Sequence, residues 1–302
     1  MRRLAAWLDG RAWLLLALTT LLWAGNSVAG RAIAGQMSPM VVVSLRWLIV
    51  CAVLGVLLRR QWRAGAAALL PRWRYTALMG ALGFTGFNTL FYVAAYHTTA
   101  VNMSLLQTAI PVFVLAGAAL LGGRIGPFQI CGLLATMAGV LMVATGGEPG
   151  NILALAFGSG DLLLLLACFI YAGYTLGLRA RPKVAPLPFF AAMALAAFLS
   201  SLPLLLAEIA AGQAYWPSIK GWLILLYIAF GPSMLAQIFY MRGVELIGAG
   251  RAGLYANLVP VFGALLAVGL LGEIFRPFHA VALALGLFGI WLSEQAPRAV
   301  AA

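Results

Sequence analysis

The sequence predicts an all-α membrane protein in which ten transmembrane helices form two inverted five-helix repeats, with both termini in the cytoplasm. Composition, the spacing of apolar runs and an internal repeat predict it. Of 302 residues, 64% are hydrophobic and 9% charged, and the mean hydropathy is +1.02. Soluble domains carry about 25% charged residues. A spanning helix needs about 20 apolar residues, so ten take about 200 and leave roughly a hundred for loops and ends. No soluble domain fits in that remainder.

Charges, prolines and polar turns divide the chain in order. The first run, 12–32, lies between Arg11 and the polar turn before Pro39. It is too long and too hydrophobic for a cleaved signal peptide and the next span follows at once, so it is a resident helix. Pro39 opens the second run, 39–58, and Arg59 closes it. The third, 75–96, begins after Arg74 and stops at His97, and the fourth, 99–121, ends before Gly122 and Gly123. The fifth, 126–146, precedes Glu148; the sixth, 159–179, ends at Arg179; the seventh, 187–210, follows Pro186. The eighth, 221–241, lies between Lys220 and Arg242, and Glu273 to Pro277 separates the ninth, 251–271, from the tenth, 278–293. Cys51, Cys131 and Cys168 all fall inside runs without metal-ligand spacing, so neither a disulfide framework nor a metal site is implied.

The formal charge of +12 would suggest nucleic acid in a soluble chain. In a membrane protein it reports orientation instead, because Lys and Arg favour cytoplasmic loops. A cytoplasmic N-terminus puts Arg2, Arg3, Arg11, Arg59, Arg60, Arg63, Arg72, Arg74, Arg124, Arg179, Arg181, Lys183, Arg242, Arg251 and Arg298 inside. Arg31, Lys220 and Arg276 fall outside and Arg46 lies within a helix, a ratio of fifteen to three that the opposite orientation would invert. Cations confined to short loops beside apolar helix ends also argue against nucleic-acid binding.

Shifted by 148 to 150 residues, the two halves match. Trp23-Ala24-Gly25 through Gly30-Arg31 lies over Tyr171-Ala172-Gly173 through Leu178-Arg179. Pro111-Val112-Phe113 lies over Pro260-Val261-Phe262, Gly123 over Gly272, Pro127-Phe128 over Pro277-Phe278, and Gly139 over Gly289. The units are 1–147, holding helices one to five, and 157–295, holding six to ten. Five spans is an odd number, so the second copy enters the membrane from the opposite side. Arg31 accordingly ends the first helix outside, and Arg179 ends the sixth inside. Inverted repeats are a hallmark of secondary transporters, whose two copies exchange roles in alternating access; this is an argument from fold.

The W-A-G-N segment from Trp23 to Asn26, the pair Arg46 and Trp47, P-V-F in the fourth and ninth helices, and L-L-G-E-I-F from Leu270 to Phe275 carry a specific resemblance. Over nearly its whole length the chain resembles the EamA family of the drug/metabolite transporter superfamily, and within it the YddG-type exporters of amino acids, aromatic ones included. One departure is Gly123-Arg124-Ile125, where the second repeat has Gly272-Glu273. The resemblance implies a multi-pass protein of a bacterial inner membrane. It also implies a central cavity lined by helices three, four, eight and nine, with contributions from one, two, six and seven, while five and ten brace the outside.

The residues agree with that division. The third helix carries Phe84, Asn88, Tyr92 and Tyr96 at four-residue spacing on one face. Such a stripe should face protein or water, because unsatisfied polar groups are costly in hydrocarbon. The eighth helix offers Ser233, Gln237 and Tyr240; Asn88 and Gln237 are repeat partners, expected to face each other as a binding pair. Gln107, Thr108, Tyr255 and Asn257 stand just before the matched prolines Pro111 and Pro260, expected to kink their helices and act as hinges. Trp23, Asn26, Tyr171 and Tyr174 form a candidate aromatic wall. The alternative for each amide is a hydrogen bond that glues helices together. Arg46 is either a clamp for a substrate carboxylate or a structural residue bonding carbonyls near the outer end of its helix. His97 is either a gate titrating near neutrality or a wetted loop residue. Gly132, Thr136 and Gly139 in the fifth helix, and Ala282, Gly286 and Gly289 in the tenth, suit close helix packing. A dimer through those faces is the lesser option, so a monomer is expected.

Glu148, Asp161, Glu208, Glu245, Glu273 and Glu294 all stand at helix ends, so the sequence offers no mid-membrane proton relay, and uniport is as admissible as proton exchange. It has no H-E-x-x-H and no buried His beside Ser or Cys, which argues against an enzyme. Lys183 and Lys220 lie in loops, which excludes a retinal Schiff base. The expectation is a carrier that exports amino acids, aromatic ones included, with membrane lipid around it and no cofactor or metal. The alternatives are an exporter of lipophilic drugs or nucleosides and a non-transporting scaffold.

Overall fold

The computed structural model describes residues 10–59, 69–122, 126–148, 158–247, 252 and 255–295. Arg2, Arg3, Arg60, Arg63, Arg124, Arg251 and Arg298, which the orientation argument uses, lie outside the described residues, as does Gly123. Eight described helices are long and apolar enough to cross a membrane: α1 Ala12–Ile33, α2 Pro39–Leu57, α3 Leu70–Ala94, α4 Ala100–Leu120, α5 Pro127–Ala144, α6 Ser159–Ala180, α7 Pro186–Ala210 and α8 Ile219–Ile247. Two shorter apolar helices, α9 Ala256–Leu271 and α10 Pro277–Ser293, take the places of the last two expected spans.

Two boundaries run well beyond the sequence expectation. α3 starts five residues early, because Pro71 in its opening 3-10 turn is preset for a helix start and Arg72 and Arg74 project from the end. α8 continues past Arg242, whose charge is met one turn on by Glu245 at 3.0 Å. The prolines also sit differently. α4 is interrupted at Gln107 and Thr108, so Pro111 is the third residue of a new segment, Ala109–Leu120. In α9 the 3-10 turn Ala256–Leu258 comes first, and Pro260 is the second residue of Val259–Leu271. A proline cannot donate to the carbonyl four residues back, so in both helices the regular α pattern gives way upstream of the ring. Two π-helical stretches, Ala81–Gly86 in α3 and Ala229–Leu235 in α8, fall at positions that the repeat shift superposes. Each widens its helix by one residue per turn next to the centre of the bundle.

The contacts between helices follow a paired pattern. α1 packs on α8 and α9, and α6 packs on α3 and α4; α2 meets α8, and α7 meets α3; α2 meets α7, α4 meets α9, and α5 meets α10. α5 and α10 come closest. A Cβ on Gly132 would lie 2.3 Å from the Gly289 carbonyl oxygen, one on Gly289 would lie 2.4 Å from the Gly132 carbonyl oxygen, and one on Gly139 would lie 2.8 Å from the Ala282 carbonyl oxygen. The small-residue faces of these two helices are therefore spent on each other. Because the obstacle is backbone, Gly289→Val should cost about 3 kcal/mol by overpacking. Thermal unfolding in detergent should show an earlier transition, and an unchanged midpoint would contradict the packing described.

Candidate substrate site

α2 begins at Ser38 and Pro39, and two turns further in it turns Arg46 toward the middle of the bundle, where the side chain is 6% exposed. Nε donates to the Ser233 hydroxyl on α8 at 2.6 Å. Nη1 donates twice, to Asn88 Oδ1 and to the Tyr92 hydroxyl on α3, each at 2.7 Å. Tyr92 in turn donates to Asn26 Oδ1 on α1 at 3.0 Å, and the Asn88 amide donates to the Phe84 carbonyl at 2.6 Å. Arg46 thus ties α1, α2, α3 and α8 together. It also bridges the two π-helical stretches: Ser233 lies within one, and Asn88 bonds to Phe84 in the other.

All of these acceptors are neutral, and no described carboxylate pairs with the guanidinium. Of its five N–H donors, three are engaged and the two on Nη2 have no partner among the described residues. Aromatic rings surround the charge. Trp47 lies 5.1 Å from the guanidinium carbon and stacks flat on Phe84 at 4.6 Å, and Phe84 also meets Tyr174 at 5.7 Å and Phe190 at 5.9 Å. Gly83 makes this possible, since a Cβ there would stand 2.2 Å from the Tyr174 ring. The Trp47 indole N–H is buried without a partner.

The bundle is sealed at the end that carries Arg31. Arg31 donates to the Ala95 carbonyl at 2.9 Å, Ser38 to Glu208 at 2.6 Å, and Ser218 to the Gln36 side chain at 2.6 Å. Tyr96 donates to the Met37 carbonyl and shares a bond with the Tyr215 hydroxyl at 3.0 Å; burial pushes its phenol pKa up, which keeps it a donor. Gly272, at φ +66°, ends α9 and turns the chain so that the Glu273 carboxylate accepts from the Ala100 and Val101 amides at 2.8 and 2.9 Å, capping α4. Asp161 accepts from Thr98 and from Asn102. His97 is exposed beside this seal, with its backbone packed on Gly160.

Toward the Arg179 end burial falls off along α4 and α8. In α4 the segment Ala100–Leu106 is buried at every position but Asn102, whereas Ala109–Leu120 buries only Ala109 and Val112. In α1 every residue from Ala24 to Gly30 is buried, Leu22 and Trp23 are half-buried, and Leu15, Leu16, Thr19 and Thr20 are buried again. Residues 237–242 of α8 are likewise half-buried throughout.

The expected site residues divide between these regions. Asn26, Phe84, Asn88, Tyr92 and Tyr174 are buried around Arg46. Trp23 and Tyr240 meet at 5.2 Å, and Tyr171 contacts Phe87 at 5.0 Å and Tyr174 at 5.3 Å. Gln107, at the break in α4, donates to the Ser27 hydroxyl at 3.1 Å. Tyr255 and Asn257 are half-buried at the start of α9, Pro111 is exposed and Pro260 buried. The Asn88 amide is spent on Arg46 and Phe84, while Gln237 is half-buried and makes no hydrogen bond among the described residues. Ser233, already a candidate on the eighth helix, stands at the centre, and the structure adds Trp47 and Phe190 to it.

Two stretches of the chain, 10–145 and 158–294, each match the EamA-like transporter family. Among curated relatives, the "Uncharacterized transporter YyaM" of Bacillus subtilis is 26% identical over 272 residues, 84% of either chain. The "Probable terminal-alkyne amino-acid exporter" of Streptantibioticus cattleyicolor is 29% identical over 291 residues, 93% of this chain and 92% of its own. The "Uncharacterized inner membrane transporter YedA" of Escherichia coli K12 is 27% identical over 221 residues, 72% and 69%. A solved crystal structure matches with a TM-score of 0.64 at 22% identity, over 93% of this chain and 96% of that one, a likeness of fold. An all-helical chain of long apolar spans, matched over nearly its whole length in two stretches, belongs to the EamA-like transporter family and is a multi-span membrane transporter.

Proposed function

We propose that the protein exports amino acids, including aromatic ones, by alternating access between inverted repeats, as YddG-type exporters do. It would act as a monomer in a bacterial inner membrane with both termini in the cytoplasm. The observation that carries this reading is Arg46: a membrane-buried guanidinium with neutral partners and two spare donors, lying beneath the seal at the Arg31 end. A carboxylate from substrate is the missing counter-charge, and a guanidinium binds it in a planar, two-bonded geometry. Trp23, Tyr171, Tyr174 and Tyr240 offer faces to an apolar or aromatic side chain, and Gln107, Gln237, Tyr255 and Asn257 offer polar groups to the ammonium end. With the Arg179 end cytoplasmic, the seal at the Arg31 end suits the loading state of an exporter. The paired helix contacts, the superposable π-helical stretches and the double family match support the repeat reading. One relative's printed name, an amino-acid exporter, supports the cargo.

The test is counterflow in proteoliposomes with a panel of amino acids, each beside its carboxamide. Saturable counterflow of acids, and much weaker flux of the amides, is expected; no saturable flux of any amino acid would remove the reading. The breaks ahead of Pro111 and Pro260 are the hinges in this scheme. Pro111→Ala and Pro260→Ala should slow exchange at unchanged substrate affinity, and unaltered exchange rates would dismiss them as hinges.

A further inference from the structure

Away from Arg46, α3 and α7 enclose a cavity of about 790 Å³ that is lined almost wholly by apolar side chains. Along α3 it reaches from Leu70 to Ala81. The eleven steps from Leu70 to Ala81 span about 16 Å, close to half of a hydrocarbon core of about 30 Å, so the groove is one leaflet deep. Ala77, Ala81, Ala192 and Ala196 recess its walls. Its deep end is closed by Ser200, whose hydroxyl is 2.7 Å from that of Thr85. Its shallow end is marked by Arg74, with the guanidinium carbon 5.6 Å from the exposed Trp73 ring, and among the described residues no Asp or Glu lines it. Arg59, Arg72, Arg179 and Arg181 are exposed at the same end of the bundle.

The geometry points to a binding site for one anionic glycerophospholipid, with the phosphate at Arg74 and an acyl chain along the groove. Each part of the lipid meets matching chemistry. Tryptophan settles at the headgroup level, and basic clefts between transmembrane helices select anionic headgroups. A chain laid along recessed alanines displaces none of the packing between α3 and α7. A zwitterionic headgroup brings an ammonium to a groove mouth whose described charge is cationic, so phosphatidylcholine is disfavoured. The groove is separate from the proposed amino acid site, and this inference stands whether or not that site is correct.

Native mass spectrometry of the full-length protein in detergent, offered equimolar phosphatidylglycerol and phosphatidylcholine, tests it. One phosphatidylglycerol should be retained in preference to phosphatidylcholine. Arg74→Ala should weaken that retention about five-fold, and Arg74→Lys should keep most of it. Ala192→Phe, which fills the groove and leaves the cation untouched, should release the lipid; Ala77→Phe on the facing wall replaces it if that variant does not elute as a single folded species. Equal retention of the two lipids, an unchanged Arg74→Ala profile, lipid held as before with the groove filled, or displacement by millimolar inorganic phosphate would each overturn the site.

Discussion

Arg46→Ala is expected to abolish saturable transport of carboxylate substrates while leaving an inserted, folded protein. Removing one partner of a buried, hydrogen-bonded charge pair costs about 2–5 kcal/mol, or between about 30-fold and several thousand-fold in affinity. The spare donors on Nη2 are the substrate's half of that pair. Three further bonds are lost with the side chain, to Ser233, Asn88 and Tyr92, and charge-assisted bonds contribute about 1.5–3 kcal/mol each. Some loss of thermal stability should therefore accompany the loss of transport. Water that enters the vacated space can serve the three orphaned oxygens, so the loss should fall short of the three bonds summed. Arg46→Lys should rescue stability better than transport, because an ammonium keeps the charge and lacks the planar fork. The bracing and binding roles separate on affinity. If the arginine only braces the helices, Arg46→Ala weakens an amino acid and its carboxamide equally; if it binds the carboxylate, the acid loses its advantage over the amide. Equal weakening would remove Arg46 from the site.

The sequence carried the fold in its coarsest features. Apolar runs separated by Arg59, Arg74, Glu148 and Arg179 locate the helices because a charge inside hydrocarbon is costly, and that cost acts residue by residue. Boundaries were less legible where a neighbour changes it, as where Glu245 offsets Arg242 and lets α8 continue. Arg46 stood out as the cation inside a span, yet its partners come from 42, 46 and 187 residues away. No local pattern encodes those distances. The expected facing of Asn88 and Gln237 followed from the repeat shift alone, and the shift contains no information about a third residue reaching Asn88 first. The π-helical stretches were hidden for a related reason. Their glycines read as ordinary small residues until Gly83 is found against the Tyr174 ring. The small faces of α5 and α10, by contrast, were legible, because Gly132, Gly139 and Gly289 recur at helical spacing and only close backbone contact explains them.

A Gln36→Cys and Ser218→Cys pair, oxidised, should hold the Arg31 end shut and stop transport, and reduction should restore it. The two residues already share a side-chain bond of 2.6 Å and a backbone bond of 3.0 Å from the Ser218 amide to the Gln36 carbonyl. That proximity suits a disulfide, which needs Cα atoms about 4.4–6.8 Å apart. They join the turn after α1 to the start of α8, one from each proposed repeat. Under alternating access this end must open once per cycle, so a covalent closure removes one of the two states altogether. Substrate binding from the Arg179 end should survive, because the loading state is the one being locked. The expected signature is therefore undiminished equilibrium binding with counterflow reduced to background, reversed by reductant. Cys51, Cys131 and Cys168 remain free in the structure, so each single-cysteine variant is the control for stray coupling. A locked protein that still exchanges substrate at the unmodified rate would mean that the seal through Ser38, Tyr96 and Tyr215 need not open, and alternating access across it would have to be abandoned.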